Sequence, residues 1–145
     1  MTAEEPAREG LSREQYAAIA AFRYQLRRFL AFSEAAAQQA GLPQQQHQAM
    51  LAIAGHVGPE APTVGVLADR LLIAPHTAAE LVSRMVEASL LTKKRSAHDG
   101  RRMELALTSR AEAVLAELTT AHLEELRTME PALVRALRKV DRSSA

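Results

Sequence analysis

Five cationic side chains, Lys93, Lys94, Arg95, Arg101 and Arg102, fall within one ten-residue window around an Asp99-Gly100 turn, in a chain of 145 residues whose formal net charge is only +1. Positive charge gathered in one place on a balanced chain is the chemistry of polyanion binding, or else a solvated turn. The alternating run Met103, Leu105, Leu107 follows directly, so the window reads as a β-hairpin whose loop holds the charge. Asp99 precedes Arg101 by two residues, close enough to hold that guanidinium in a fixed fork geometry.

Other chemistries find less material. His47, His56, His76, His98 and His122 form no His-x-x-x-His pair, and there are no cysteines, so a zinc site would need distant His and Glu to converge. His122 and Glu125 are a weak metal candidate and read more simply as polar positions on a helix. Without cysteine there is no disulfide, thiol redox sensor or Cys nucleophile. No nucleophile elbow and no phosphate-cradling glycine loop occurs, and the adjacent acids Glu124 and Glu125 have nothing to make them an acid/base pair. The expectation is therefore a protein that is not an enzyme and uses neither cofactor nor metal. Aromatic residues are 3% of the chain and Trp is absent, which argues against stacking platforms for single strands. No apolar run approaches the roughly 18 residues of a membrane helix. The start "MTAEEPAREG" lacks a signal-peptide core. Residues 1–10 read as a disordered lead-in, and the expected compartment is the cytoplasm.

The elements that would position the basic window can be read from periodicity. Ser12 and Gln15 form a capping box, with Leu11 and Tyr16 at staple positions, and Ile19, Phe22, Leu26, Phe29 and Ser33 recur at helical spacing until Gly41 and Pro43. A second helix runs from Pro43 through Met50, Leu51, Ile53 and Val57 to the breaker "GPEAP". Thr63 caps a short third helix carrying Val64, Leu67, Ala68 and Leu71, and Pro75 opens a fourth. The fourth keeps Ala78, Leu81, Val82 and Met85 on one face, and shows His76, Thr77, Ala79, Glu80, Ser83, Arg84 and Glu87 on the other. Two short helices about a tight turn, the second with a polar outward face, make a helix-turn-helix.

Leu90-Leu91 and Met103 to Leu107 supply the hairpin strands. Ser109 and Glu112 cap a fifth helix with Leu115, Leu118, His122, Leu126 and Met129, and Pro131 starts a sixth with Leu133, Leu137 and Val140. The expected fold is mainly α, a winged helix-turn-helix of order α-α-α-α-β-β-α-α, with room for a minor strand before the third helix. Residues 11–145 form a single domain. Within it, the long helices of 11–42 and 109–140, expected to serve in dimerisation, flank a winged part over 43–108, expected to bind DNA.

A hairpin directly after a recognition helix is a wing. Lys93, Lys94, Arg95, Arg101 and Arg102 would there meet phosphates, and one tip arginine could enter the minor groove. Coupled to a helix-turn-helix, the solvated-turn reading of the charge loses most of its weight.

The stretch "PTVGVLADRLLIAPHTAAELVSRMVEASLLTKKRSAHDGRRMELALT" resembles the winged helix-turn-helix of the multiple antibiotic resistance regulator (MarR) family. The matching residues are Leu67-Ala68, Leu81-Val82-x-Arg84, Leu90-Leu91, Asp99-Gly100-Arg101-Arg102 and Leu107-Thr108, and the likeness extends over Leu11 to Val140. The resemblance implies a homodimer of intertwined first and last helices on a pseudo-palindromic double-stranded operator. It implies that His76, Thr77, Ala79 and Glu80 face base edges, that Arg84 contacts backbone, and that Arg101 enters the minor groove. It also implies a small-molecule effector, an aromatic acid among the candidates, in a cleft that His47 would line, although His47 reads more simply as an ordinary partly buried histidine. Three positions depart from the family pattern: Ala74 where Ser or Thr is common, Ser89 where Gly is usual, and Glu80 where a basic or neutral residue is more frequent.

The sequence thus reads as a dimeric transcriptional regulator, most simply a repressor released by a small ligand. The alternative is a winged-helix protein-interaction module without DNA binding, which Glu80 and the near-neutral charge favour and Arg84, Arg101 and Arg102 oppose. A metal or redox sensor would need ligands the chain mostly lacks.

Overall fold

The computed structural model describes residues 10–143, so the lead-in expected over 1–10 lies, apart from Gly10, outside the described residues. Five helices and one hairpin follow in order: α1 (Arg13–Gln39), α2 (Gln44–Ala54), α3 (Val64–Leu71), α4 (Pro75–Glu87), β1 (Leu91–Arg95), β2 (Met103–Leu107) and α5 (Ser109–Ser143). The capping box forms as read. The Ser12 N–H donates to Gln15 Oε1 at 2.7 Å and the Gln15 N–H to Ser12 Oγ at 3.2 Å. At the other end of α1, Gly41 takes φ +75°, and the Leu42 N–H returns to the Ala37 carbonyl at 2.9 Å, closing the helix with a left-handed cap.

The fifth and sixth helices of the sequence reading are one. Pro131 lies inside α5, which continues to Ser143. A proline there removes one backbone bond. Tertiary packing overrides that cost, because His122, Met129 and Ala136 are buried at intervals of seven and keep a single seam in register across the proline. The α5 cap also differs from the expectation by one residue. Thr108, not Ser109, accepts from the Ala111 N–H at 3.2 Å.

Contacts divide the chain into two compact units, one of residues 34–121 and one built from the N-terminal 33 residues and residue 122 onward. In the larger unit, Met50, Leu67, Val82, Met85, Leu91 and Leu105 are the largest fully buried side chains, and they come from α2, α3, α4 and both strands. The alternation of β2 puts Leu105 inward opposite Lys93 of β1, while Leu91 pairs with Leu107. The minor strand before α3 is present as a single bridge, Thr63 to Glu104, with the Leu105 N–H donating to the Pro62 carbonyl at 2.8 Å.

In the other unit, Ala18, Gln25 and Ser33 of α1 and His122, Met129 and Ala136 of α5 are buried. His122 Nε2 lies 2.9 Å from Ser33 Oγ, with the Phe29 and Phe32 rings edge-on at 5.8 and 5.2 Å. The expected α1 stripe is split. Phe22, Phe29 and Ser33 turn inward, whereas Ile19 and Leu26 join Tyr16, Tyr24, Leu30, Leu123, Leu126 and Leu137 among the exposed apolar side chains.

Two non-glycine residues carry left-handed backbone: Leu72 at φ 56°, ending α3, and Ser89 at φ 59°, between α4 and the wing. Each closes its helix by the same return bond, Ile73 N–H to Ala68 O at 3.0 Å and Leu90 N–H to Met85 O at 2.9 Å. A side chain in this region costs about 1–2 kcal/mol, partly offset by the greater freedom glycine has when unfolded. Leu72→Gly and Ser89→Gly should therefore each raise stability by about 0.5–1 kcal/mol. Urea unfolding midpoints check this, and an unchanged or lowered midpoint for both would contradict the left-handed assignment.

Candidate nucleic-acid interface

The helix-turn-helix arises from local rules that agree with one another. Thr63 caps α3 by accepting from the Val66 N–H at 3.3 Å, and the left-handed turn at Leu72 reverses the chain. Pro75 then occupies the first turn of α4, where its missing N–H costs nothing. Ala74, the N-cap residue, makes no side-chain cap, so the first donors of α4 are left to solvent or a ligand. Burial of Ala78, Leu81, Val82 and Met85 fixes the rotation of α4. His76, Ala79, Glu80, Ser83 and Arg84 are consequently exposed, and Thr77 is half-buried.

The far end of α4 is held by residues that sequence reasoning missed. Arg110 Nη1 donates to the Ala88 carbonyl at 3.0 Å. The Thr108 hydroxyl donates to the Ser89 carbonyl at 2.7 Å, and the Thr108 N–H to the Leu90 carbonyl at 3.1 Å. One cap residue thus starts α5 and satisfies the exit of α4. An arginine in the first turn of α5, against the helix dipole, was the signal available.

The charge in the wing is distributed differently from the expectation. Lys93, Lys94 and Arg95 lie on strand β1 itself, not in the loop, with Lys94 opposite Glu104. Cross-strand opposite charges favour strand over loop there, and exposed lysines suit an edge strand. The loop proper begins at Ser96, whose N–H donates to the Arg102 carbonyl at 2.9 Å. Ser96 Oγ accepts from the N–H groups of His98 and Asp99 at 3.2 and 3.3 Å. Asp99 takes the backbone N–H of Arg101 at 3.0 Å, so it orders the turn instead of clamping the guanidinium. Arg101 is exposed and makes no ion pair among the described residues. Arg102 is paired with Glu60 of the loop before α3.

His47, expected to border a ligand cleft, is buried on α2 at 2% exposure. It does not line the cavity of about 500 Å³ in the same unit, which Ile53, Pro62, Leu105 and Leu115 wall and which holds Glu112 as its one ionisable residue. Among the described residues no group of three or more His, Cys, Asp or Glu is placed to hold a metal ion. No helix among them is long and apolar enough to cross a membrane.

Two short helices about a tight turn, an outward polar helix face and a following antiparallel hairpin define a winged helix-turn-helix protein. Residues 40–102 match the sequence profile of the MarR family. The match covers 63 of the chain's 145 residues, the helix-turn-helix and the hairpin as far as Arg102. The chain's fold is shared with AbsC, a MarR family transcriptional regulator from Streptomyces coelicolor (17% identity, 92% of this chain and 90% of that one, TM-score 0.71). A MarR family protein from Bacillus stearothermophilus is similar at 19% identity over 92% and 98% of the two chains, with a TM-score of 0.71. A point mutant of MepR from S. aureus, solved bound to an oligodeoxyribonucleotide, is similar at 18% identity over 85% and 94%, TM-score 0.63. No curated protein matches the chain.

Proposed function

We propose that the protein is a dimeric, sequence-specific double-stranded DNA-binding regulator of transcription working in the cytoplasm. In this reading 11–42 and 109–140 form the dimerisation helices and 43–108 the DNA-binding part. The observation that carries it is the exposed Arg101, without an ion pair among the described residues, at the tip of a cationic wing in the same compact unit as the exposed polar face of α4. The oligonucleotide bound by the MepR mutant supports DNA as the ligand of such a fold. Occlusion of a promoter makes the protein a repressor, and a small effector releases it. The cavity beside Glu112 is of effector size. An aromatic acid there would set its carboxylate against that of Glu112, so a neutral or cationic apolar molecule suits this cavity better.

The test is a pair of titrations at matched salt, one with an inverted-repeat operator and one with its scrambled duplex. His76 and Thr77 stand in the first turn of α4, and Glu80 is one turn further along. A good base contact is worth about 1–3 kcal/mol of discrimination. His76→Ala and Thr77→Ala should weaken operator binding and spare scrambled binding. Glu80→Ala removes a carboxylate from a phosphate-facing surface and should raise scrambled binding; if Glu80 accepts from a cytosine, the operator-to-scrambled ratio falls as well. If all three leave both curves untouched, α4 does not read DNA and the interaction-module reading replaces this one.

A further inference from the structure

Arg101 and Arg102 are neighbours in sequence but stand in different situations. Arg101 is exposed, whereas the Arg102 side chain is 37% exposed and its Nη1 is engaged by Glu60 Oε2. Glu60 lies between Pro59 and Pro62, in the segment whose next residues pair with the wing: Pro62 accepts from the Leu105 N–H, and Thr63 bridges Glu104. Thr63 is also the N-cap of α3. The ion pair therefore adds a side-chain tie between the end of the loop and the segment that leads into the first helix of the helix-turn-helix.

We infer that Glu60 and Arg102 form a latch that sets the wing's position relative to the helix-turn-helix, so that Arg102 is a positioning residue and not a phosphate ligand. Arg101, the residue beside it, is then delivered to the duplex by a loop fixed at both of its ends. This inference rests on the DNA-binding reading for its consequence but not for its geometry. An arginine already facing a carboxylate must break that pair before it can neutralise a phosphate, and no counterion is released by a cation that stays paired. The pair is solvent-exposed, so its loss leaves overall stability nearly unchanged and acts on the local position of the wing.

Two measurements on the full chain test the latch separately from the DNA reading. In the absence of DNA, Glu60→Gln and Arg102→Gln should each speed hydrogen exchange at the Leu105 and Ser96 amides by at least several-fold. The charge-exchanged pair Glu60→Lys with Arg102→Glu should return both amides to the wild-type rate. In a salt series with a mixed-sequence duplex, Arg102→Gln should lower affinity while keeping the wild-type slope of log K against log salt. Arg101→Ala should flatten that slope by roughly 0.9 for each phosphate it no longer neutralises. Unchanged exchange in both single variants, or a slope flattened by Arg102→Gln as much as by Arg101→Ala, would overturn the latch. A wild-type protein that fails to bind any duplex would overturn the DNA reading, and the exchange rates would still decide the latch.

Discussion

Leu30→Glu on α1 should turn a stable dimer into a monomer and reduce operator affinity by about 10²- to 10⁴-fold, the gain that joining two half-site readers provides. Leu30 is 50% exposed and stands among Ile19, Tyr24 and Leu26 on α1, with Leu123, Leu126 and Leu137 exposed on α5. A run of large apolar side chains on long helices needs a partner, and a second copy of the same helices supplies a self-complementary one. An intertwined interface of this type should bury more than about 2,000 Å², so the wild type should stay dimeric at micromolar concentration. A carboxylate buried at its centre without a cation costs several kcal/mol per copy. Light scattering gives the mass of both proteins. A monomeric wild type, or a Leu30→Glu variant that remains dimeric with unchanged affinity, would remove α1 from the interface.

Arg101→Ala should weaken operator binding by an order of magnitude or more, with little change in which sequence is preferred. An arginine inserted in a minor groove reads its width and potential, not a base code. A dimer would carry two such tips, so the loss would be felt twice per operator. Asp99→Ala should produce a smaller loss in the same direction, because Asp99 holds the Arg101 backbone N–H at 3.0 Å and thereby the shape of the tip. Titrations of the operator across a salt series measure both. An Arg101→Ala protein that follows the wild-type curve at every salt would show that the wing does not touch DNA.

Features set by a few neighbouring residues were readable in the chain. The Ser12–Gln15 box, the Thr63 cap, Pro75 at the start of α4 and the inward face of α4 all follow from spacing of three or four residues. Ser89 adopts the left-handed backbone usual for glycine because Arg110 and Thr108 hold the adjoining carbonyls from α5, which compensates for the side chain. The reading failed where distant packing outweighs a local rule. Pro131 looked like a helix start, but the seam of His122, Met129 and Ala136 carries α5 through it. Lys93 to Arg95 looked like loop until pairing with Met103 to Leu105 made them strand. The Glu60–Arg102 pair spans 42 residues of sequence, and nothing in the chain's spacing links the two.

Selection of duplexes from a random-sequence pool by the purified protein reads its sequence preference without an operator chosen in advance. It should enrich an inverted repeat with half-site centres about one helical turn apart, roughly 34–36 Å, as a two-fold pair of recognition helices requires. Recovery of a pool no different from the input, or no duplex retained at low salt, would contradict the DNA-binding reading.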